Sequence, residues 1–168
     1  MIHVCSLARL HDTVAECGAR HVVTLMKDVA MVRRPPSIDA ANHLLLDMDD
    51  ITEVLEGYVP PCSAHVEKLI DFVSAWDRTT PMVVHCYAGI SRSTAGAFIT
   101  ACALNPTRDE LSIARTIRSF SPTAQPNLRL VTLADTILGR RGRMTSAVRA
   151  IGPGLAAYEG HPFHLDLE

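Results

Sequence analysis

Two residues that could do chemistry together, Cys86 and Arg92, stand at the ends of a short loop. The loop follows an apolar run from Met82 to Val84 that is typical of a strand, contains Gly89, and leads into a predicted helix near Ser91. In such a loop successive backbone N–H groups can point inward, and the start of the helix adds the positive end of its dipole. The loop would therefore favour a tetrahedral oxyanion, which Arg92 can grip with a planar, two-pronged donor.

The same local field favours the thiolate form of Cys86, and the thiolate is the nucleophilic form of cysteine. Ser93, at the start of the predicted helix, places a hydroxyl beside that sulfur. The residue types and their spacing therefore predict a phosphate-handling site with Cys86 as its nucleophile.

The pattern His85-Cys86-x5-Arg92-Ser93, with Gly89 inside it, resembles the signature of cysteine-based protein tyrosine and dual-specificity phosphatases. A chance match in a chain of this length has a probability on the order of 10⁻⁵. The resemblance covers residues 43–138. The chain looks like a small, bacterial-type member of this family. The resemblance implies an α/β domain with a central, mostly parallel sheet and helices on both faces.

The resemblance also implies a role for each signature residue. Cys86 attacks phosphorus, Ser93 stabilises the sulfur as it leaves, and His85 orients the loop without touching the substrate. The implied substrate-binding positions are Tyr87, Ala88, Gly89, Ile90, Ser91 and Arg92. The reaction would proceed through a cysteinyl-phosphate and would need no cofactor and no metal.

Phosphatases of this family keep a mobile aspartate upstream of the cysteine as general acid. Three aspartates follow the predicted third strand: Asp47, Asp49 and Asp50. Apolar residues alternate over 44–48 onto one face, and Asp50 continues that face just beyond the end of the strand. We therefore expect Asp50 to be the acid, with Asp49 as the second candidate and Asp47 as the third.

A Pro-containing turn follows the signature, and Asn127 is the predicted N-cap of the helix after it. Gln125 lies in the same turn. In some relatives a glutamine positions the hydrolytic water, and Gln125 is interpreted either in that way or as a plain loop residue.

Alternating strands and helices along the chain predict an α/β fold. With 168 residues, of which 48% are hydrophobic, the chain should form one domain with a substantial core. We predict a phosphatase domain over residues 1–139. A C-terminal extension over residues 140–168 should pack on that domain or take part in self-association.

Composition also bears on partners and compartment. A net charge of −2 gives no general attraction to nucleic acid or to an anionic membrane, and no apolar run reaches transmembrane length. The five cysteines are odd in number and unpatterned, which favours a reducing cytoplasm. His161 and His164 lack ligand partners at a recognised metal-site spacing. The expected partner is a phosphorylated protein or peptide, and the oligomeric state is left open.

Several alternatives remain at this point. Low-molecular-weight phosphatases and arsenate reductases also use Cys-x5-Arg, but there the cysteine is near the N-terminus and the acid is downstream. Rhodanese-like sulfurtransferases have a similar loop, but their signature lacks the His-Cys pair at its start and the Arg-Ser pair at its end. A phosphate-binding pseudophosphatase and a phosphatase of small-molecule phosphoesters remain open, although a loop without lysine speaks against multiply phosphorylated inositides. Pocket depth, which separates phosphotyrosine from phosphoserine and phosphothreonine, is not encoded in the motif.

Overall fold

A five-stranded sheet forms the centre of the computed structural model, which describes residues 1–167. The strands are β1 (Ile2–Ser6), β2 (His21–Met26), β3 (His43–Asp47), β4 (Met82–Cys86) and β5 (Phe163–Leu165). Their order across the sheet is β3-β2-β4-β1-β5. The first four are mutually parallel, whereas β5 pairs antiparallel with β1. The predicted fold class, an α/β domain with a mostly parallel sheet, is confirmed.

Six helices accompany the sheet. They are α1 (Leu10–Cys17), α2 (Ser63–Ala75), α3 (Arg92–Leu104), α4 (Glu110–Phe120), α5 (Leu128–Ile137) and α6 (Arg143–Ile151). A small apolar cluster on one face of the sheet joins α1 to β2 and β4, and a larger cluster on the other face joins the remaining helices to the sheet. Both faces of β4 are therefore covered, which explains why all five of its residues are buried.

Close packing of α3 against the sheet determines where that helix begins. Every residue of α3 from Arg92 to Cys102 is buried. A Cβ atom at Gly96 would lie 3.0 Å from Cγ1 of Val84 and 3.2 Å from Cδ1 of Leu25, so a larger residue there would require these side chains to shift. As a result, the N-terminus of α3 points at the carboxyl end of β4, the edge at which open α/β sheets bind ligands.

The chain after residue 139 continues around the same core. α6 packs against α4 and α5, and a buried ion pair between Arg140 Nη1 and Glu110 Oε1, 2.9 Å apart, fixes the segment that enters α6. β5 then extends the sheet beyond β1. Within residues 1–167, no helix is long and apolar enough to cross a membrane.

Candidate active site

The loop between β4 and α3 passes directly over the end of β1. Cys86 is the last residue of β4, and Arg92 is the first residue of α3. Gly89, midway between them, has a φ of 73°. A Cβ atom there would lie 2.8 Å from the backbone nitrogen of Ser6 and 2.9 Å from the carbonyl carbon of Cys5. Both the conformation and the space therefore require glycine at this position.

Two hydrogen-bonding groups flank the sulfur of Cys86. The residue is only 1% exposed, yet the backbone N–H of Gly89 donates to Sγ at 3.3 Å. The thiol in turn donates to Oγ of Ser93 at 3.2 Å. If the thiol ionises, the hydroxyl of Ser93 can turn and donate to the sulfur, which would then accept two hydrogen bonds.

Arg92 is held by one end of its guanidinium and leaves another nitrogen without a partner. The side chain is 8% exposed, and Nη1 donates to the carbonyl oxygen of Met48 at 2.8 Å. Nε lies 3.7 Å from Oδ2 of Asp50, too far for a hydrogen bond, and has no other partner among residues 1–167. Buried polar groups are normally paired, so this N–H is suited to a ligand that is not part of the chain.

The structure places Asp50 beside the loop. Its Oδ1 accepts hydrogen bonds from Oγ of Ser91 at 2.7 Å and from Nδ2 of Asn127 at 2.8 Å. The side chain keeps 35% of its surface exposed. A carboxylate held in this way near Arg92 can still reach an incoming molecule.

The other two aspartates lie elsewhere. Oδ2 of Asp49 accepts from the N–H of Val59 at 2.7 Å, and the N–H of Asp49 donates to the carbonyl of Val59 at 2.8 Å. Asp47 lies 3.4 Å from Nζ of Lys27. Asp49 therefore braces the loop that leads to α2, and Asp47 pairs with Lys27 beyond the end of β2.

His85 belongs to a hydrogen-bonded chain that crosses three strands. Its Nε2 lies 2.6 Å from Oγ1 of Thr24, and the same oxygen lies 2.8 Å from Nε2 of His43. Burial lowers the pKa of each imidazole to about 4, and the positive charge of Arg34 contributes at His43. Both rings are therefore neutral at neutral pH, and the shared hydroxyl fixes the orientation of the residue before Cys86.

A model of the family "Protein-tyrosine phosphatase" matches residues 56–124, the stretch that holds the 86–92 loop. Solved structures with the same fold include the Cydia pomonella phosphatase PTP-2 (TM-score 0.62, 19% identity, 80% of this chain and 84% of that chain covered). Human DUSP28 is similar (TM-score 0.62, 17% identity, 83% and 89% covered), as is PTPMT1 in complex with PI(5)P (TM-score 0.60, 15% identity, 90% and 94% covered). The chain is similar to protein-tyrosine phosphatases over residues 56–124 and shares its fold with these solved structures. No curated protein sequence matches it.

The turn before α5 closes one side of the candidate site. The backbone N–H of Gln125 donates to the carbonyl of Ile90 at 2.9 Å, and that of Asn127 donates to the carbonyl of Ser91 at 3.2 Å. Asn127 also caps α5, as predicted, because its Oδ1 accepts from the N–H of Leu130 at 3.1 Å. Its second contact, to the carboxylate of Asp50, was not foreseen from the sequence.

Thr24 and His43 were also missed. The only signals for them are a hydroxyl in an otherwise apolar strand and a histidine at the first position of β3. Neither signal says that the two side chains meet His85, because the three residues lie on separate strands.

A cleft of about 680 Å³ opens next to the loop. Its walls include Asp50 and Ser91 on the loop side, Gln125 and Leu128 from the turn before α5, and Arg149 at the end of α6. With this volume, the cleft can receive more of a molecule than one phosphate group. Within residues 1–167, no three His, Cys, Asp or Glu side chains are grouped to hold a metal ion.

Proposed function

We propose that this protein is a phosphoprotein phosphatase that hydrolyses phosphotyrosine, and also phosphoserine or phosphothreonine if the pocket admits them, through a cysteinyl-phosphate. One observation carries the proposal. The sulfur of Cys86, the unpartnered Nε of Arg92 and the half-exposed carboxylate of Asp50 lie around one loop at the N-terminus of α3. A nucleophile, an anion donor and a proton carrier are thereby grouped at one place.

In the first step, the thiolate of Cys86 attacks phosphorus in line, and the bond from phosphorus to the leaving oxygen breaks. The guanidinium of Arg92 and the loop amides, Tyr87 to Arg92, hold the three non-bridging oxygens as charge moves onto them. Protonated Asp50 gives its proton to the leaving oxygen, so that the substrate leaves as a neutral alcohol or phenol.

In the second step, water attacks the cysteinyl-phosphate, and Asp50, now ionised, accepts the proton of that water. The bond between phosphorus and sulfur breaks, and the hydroxyl of Ser93 donates to the sulfur as it becomes a thiolate again. Gln125 lines the cleft beside Asp50 and is a further candidate for orienting the water. His85 acts through the backbone of the loop. The mechanism uses only groups of the chain.

The cleft favours a protein or peptide as the substrate. Part of the cleft wall is apolar, so residues that flank the phosphorylated side chain of a peptide can pack on it. The apolar residues are Ile51, Leu55, Ile90 and Leu128. A chain with a net charge of −2 has no general affinity for nucleic acid or membrane. Five free cysteines suit a reducing compartment such as the cytoplasm.

A small-molecule phosphoester is the second candidate substrate, because one protein with the same fold was solved with PI(5)P. Against it, positions 87–91 hold no lysine or arginine, and within residues 1–167 Arg149 is the one cationic residue on the cleft walls. A pseudophosphatase that only binds phosphopeptide is the non-enzyme alternative; the presence of Cys86, Arg92 and Asp50 together favours turnover.

The deciding assay compares four phosphoesters: p-nitrophenyl phosphate, a phosphotyrosine peptide, a phosphothreonine peptide, and PI(5)P in vesicles. We expect the phosphotyrosine peptide to give the highest kcat/KM. Preferential hydrolysis of PI(5)P would replace the proposed substrate class, and binding of phosphopeptide without turnover would support the pseudophosphatase.

The variant Cys86→Ser tests the mechanism. It should lower kcat by at least about 10⁴-fold, because a serine hydroxyl is not ionised near neutral pH. Tungstate is a tetrahedral oxyanion like phosphate. Calorimetry should show that the variant still binds tungstate, because the loop amides and Arg92 remain. Substantial residual hydrolysis by the purified variant would rule out Cys86 as the nucleophile.

A further inference from the structure

The C-terminal segment 152–165 lies outside the residues that match the family model, yet it contacts the back of the 86–92 loop. We propose that Gly160 in this segment is a positioning residue: it holds one peptide group of the loop so that its N–H faces the sulfur of Cys86. The proposal rests on the proposed function, since it concerns how the same loop is shaped.

A single peptide group connects Gly160 to the nucleophile. The backbone N–H of Gly160 donates to the carbonyl of Ala88 at 2.9 Å. In a trans peptide the carbonyl of one residue and the N–H of the next point in opposite directions. The N–H in question is that of Gly89, which donates to Sγ of Cys86 at 3.3 Å. When the carbonyl oxygen of Ala88 is held in place, the N–H of Gly89 is therefore also held in the direction of the sulfur.

The other outward carbonyls of the loop are held in the same manner. The carbonyl of Tyr87 accepts from the N–H of Leu7 at 3.1 Å. Those of Ile90 and Ser91 accept from backbone N–H groups in the turn before α5. Three separate parts of the chain thus hold these carbonyls so that they point out of the loop. The C-terminal segment holds the carbonyl of Ala88.

Contact with Gly160 also limits the space available to the loop. Gly160 is buried, and a Cβ atom there would lie 2.8 Å from the carbonyl oxygen of Gly89 and 3.4 Å from Cγ1 of Ile90. Gly89 also lies against the backbone of Ser6. The middle of the loop therefore packs against both the end of β1 and the C-terminal segment.

Anchors on both sides keep Gly160 in place. After it, β5 pairs with β1, with Val4 opposite Phe163. Immediately before it, Glu159 accepts a hydrogen bond from Oγ of Ser6. Earlier in the segment, Arg118 donates to the carbonyl of Gly152 at 2.8 Å and to that of Pro153 at 3.1 Å.

The test compares Gly160→Ala with the neighbouring exposed-site control His161→Ala. The added methyl should push the loop away, and kcat/KM for p-nitrophenyl phosphate should fall by about 10²-fold, the loss that a misplacement of about 1 Å can cause. Alkylation of Cys86 by iodoacetate at neutral pH should become slower, because the Gly89 N–H no longer donates to the sulfur. Tungstate should bind more weakly. The His161→Ala control should match the wild type in all three.

A folded Gly160→Ala protein with wild-type kcat/KM and a wild-type alkylation rate would overturn the proposal. If that variant does not fold, Glu159→Ala provides the test, because it loosens the segment without adding atoms. It should change the same three measurements in the same direction but to a smaller extent. Wild-type values for Glu159→Ala would overturn the proposal. Alkylation and tungstate binding do not require turnover. If the wild type hydrolyses no phosphoester, the proposed function fails, whereas shifts in these two readouts would still support the role of Gly160.

Discussion

Asp50 accepts hydrogen bonds from two uncharged donors, the hydroxyl of Ser91 and the amide of Asn127. The variant Asp50→Asn keeps an acceptor for these donors but cannot transfer the proton. It should lower kcat for a phosphotyrosine peptide by about 10²–10⁴-fold. The loss should be smaller for p-nitrophenyl phosphate, whose leaving group is a weak base, and the alkaline limb of the kcat profile against pH should flatten.

Asp49→Asn is the matched control. Its amide oxygen can still accept from the N–H of Val59, so the loop to α2 should keep its shape. Steady-state kinetics on both variants across pH separate the two residues. If Asp49→Asn shows the loss and Asp50→Asn does not, the assignment of the acid is wrong.

The strands β2, β3 and β4 are linked by the chain His85–Thr24–His43, which makes their packing sensitive to acid. The folded protein keeps His85 neutral down to its pKa of about 4, whereas the unfolded chain takes up a proton near pH 6.5. The unfolding free energy should therefore fall as pH drops from 6.5 to 4. This histidine alone contributes up to about 1.4 kcal/mol per pH unit.

Urea denaturation of the wild type and His85→Asn at several pH values between 7 and 4.5 measures this contribution. The variant should be less stable at pH 7, and its unfolding free energy should depend less steeply on pH. The exposed His161, changed to Asn, should leave the slope unchanged. Equal slopes for the wild type and His85→Asn would contradict the assignment of a neutral, buried imidazole.

Local patterns were sufficient to predict individual elements. The continuous apolar run over 21–26 forms β2, and Gly18, a residue type that commonly follows a helix, ends α1 in a left-handed conformation. The spacing of the signature places Cys86 and Arg92 at a strand end and a helix start, because a strand, a glycine loop and a helix are adjacent in sequence.

Contacts between distant parts of the chain could not be predicted in this way. Thr24 meets His85 only because β2 lies next to β4, and strand order depends on crossover connections that no local pattern records. The contact between Asn127 and Asp50, like that between Gly160 and the 86–92 loop, depends on where whole segments pack.

The five free cysteines of the molecule lie in different surroundings. Burial raises the pKa of Cys5 and of Cys102 to about 12, so both remain unreactive thiols at neutral pH. Brief treatment with hydrogen peroxide should therefore oxidise Cys86 first and abolish hydrolysis. The thiolate would become a sulfenic acid as peroxide is reduced to water. Although Cys86 is 1% exposed, peroxide is smaller than the phosphate group that the proposed reaction brings to the same sulfur.

Activity assays combined with mass mapping of each cysteine provide the measurement. Dithiothreitol should restore activity as long as oxidation has stopped at sulfenic acid or a disulfide. The variant Cys62→Ser controls for a partly exposed thiol and should be inactivated at the wild-type rate. Finding Cys86 unmodified in the inactivated protein would contradict the prediction.

The pairing of β1 with β5 joins Ile2 to Leu165, residues from nearly opposite ends of the described chain. Contacts of such long sequence separation form late in folding, because closing a long loop costs entropy before the contact stabilises anything. Until β5 docks, β1 is an edge strand with unpaired N–H and C=O groups, which can template pairing with another molecule. The time between collapse of the parallel strands and docking of β5 is thus the interval in which folding competes with aggregation.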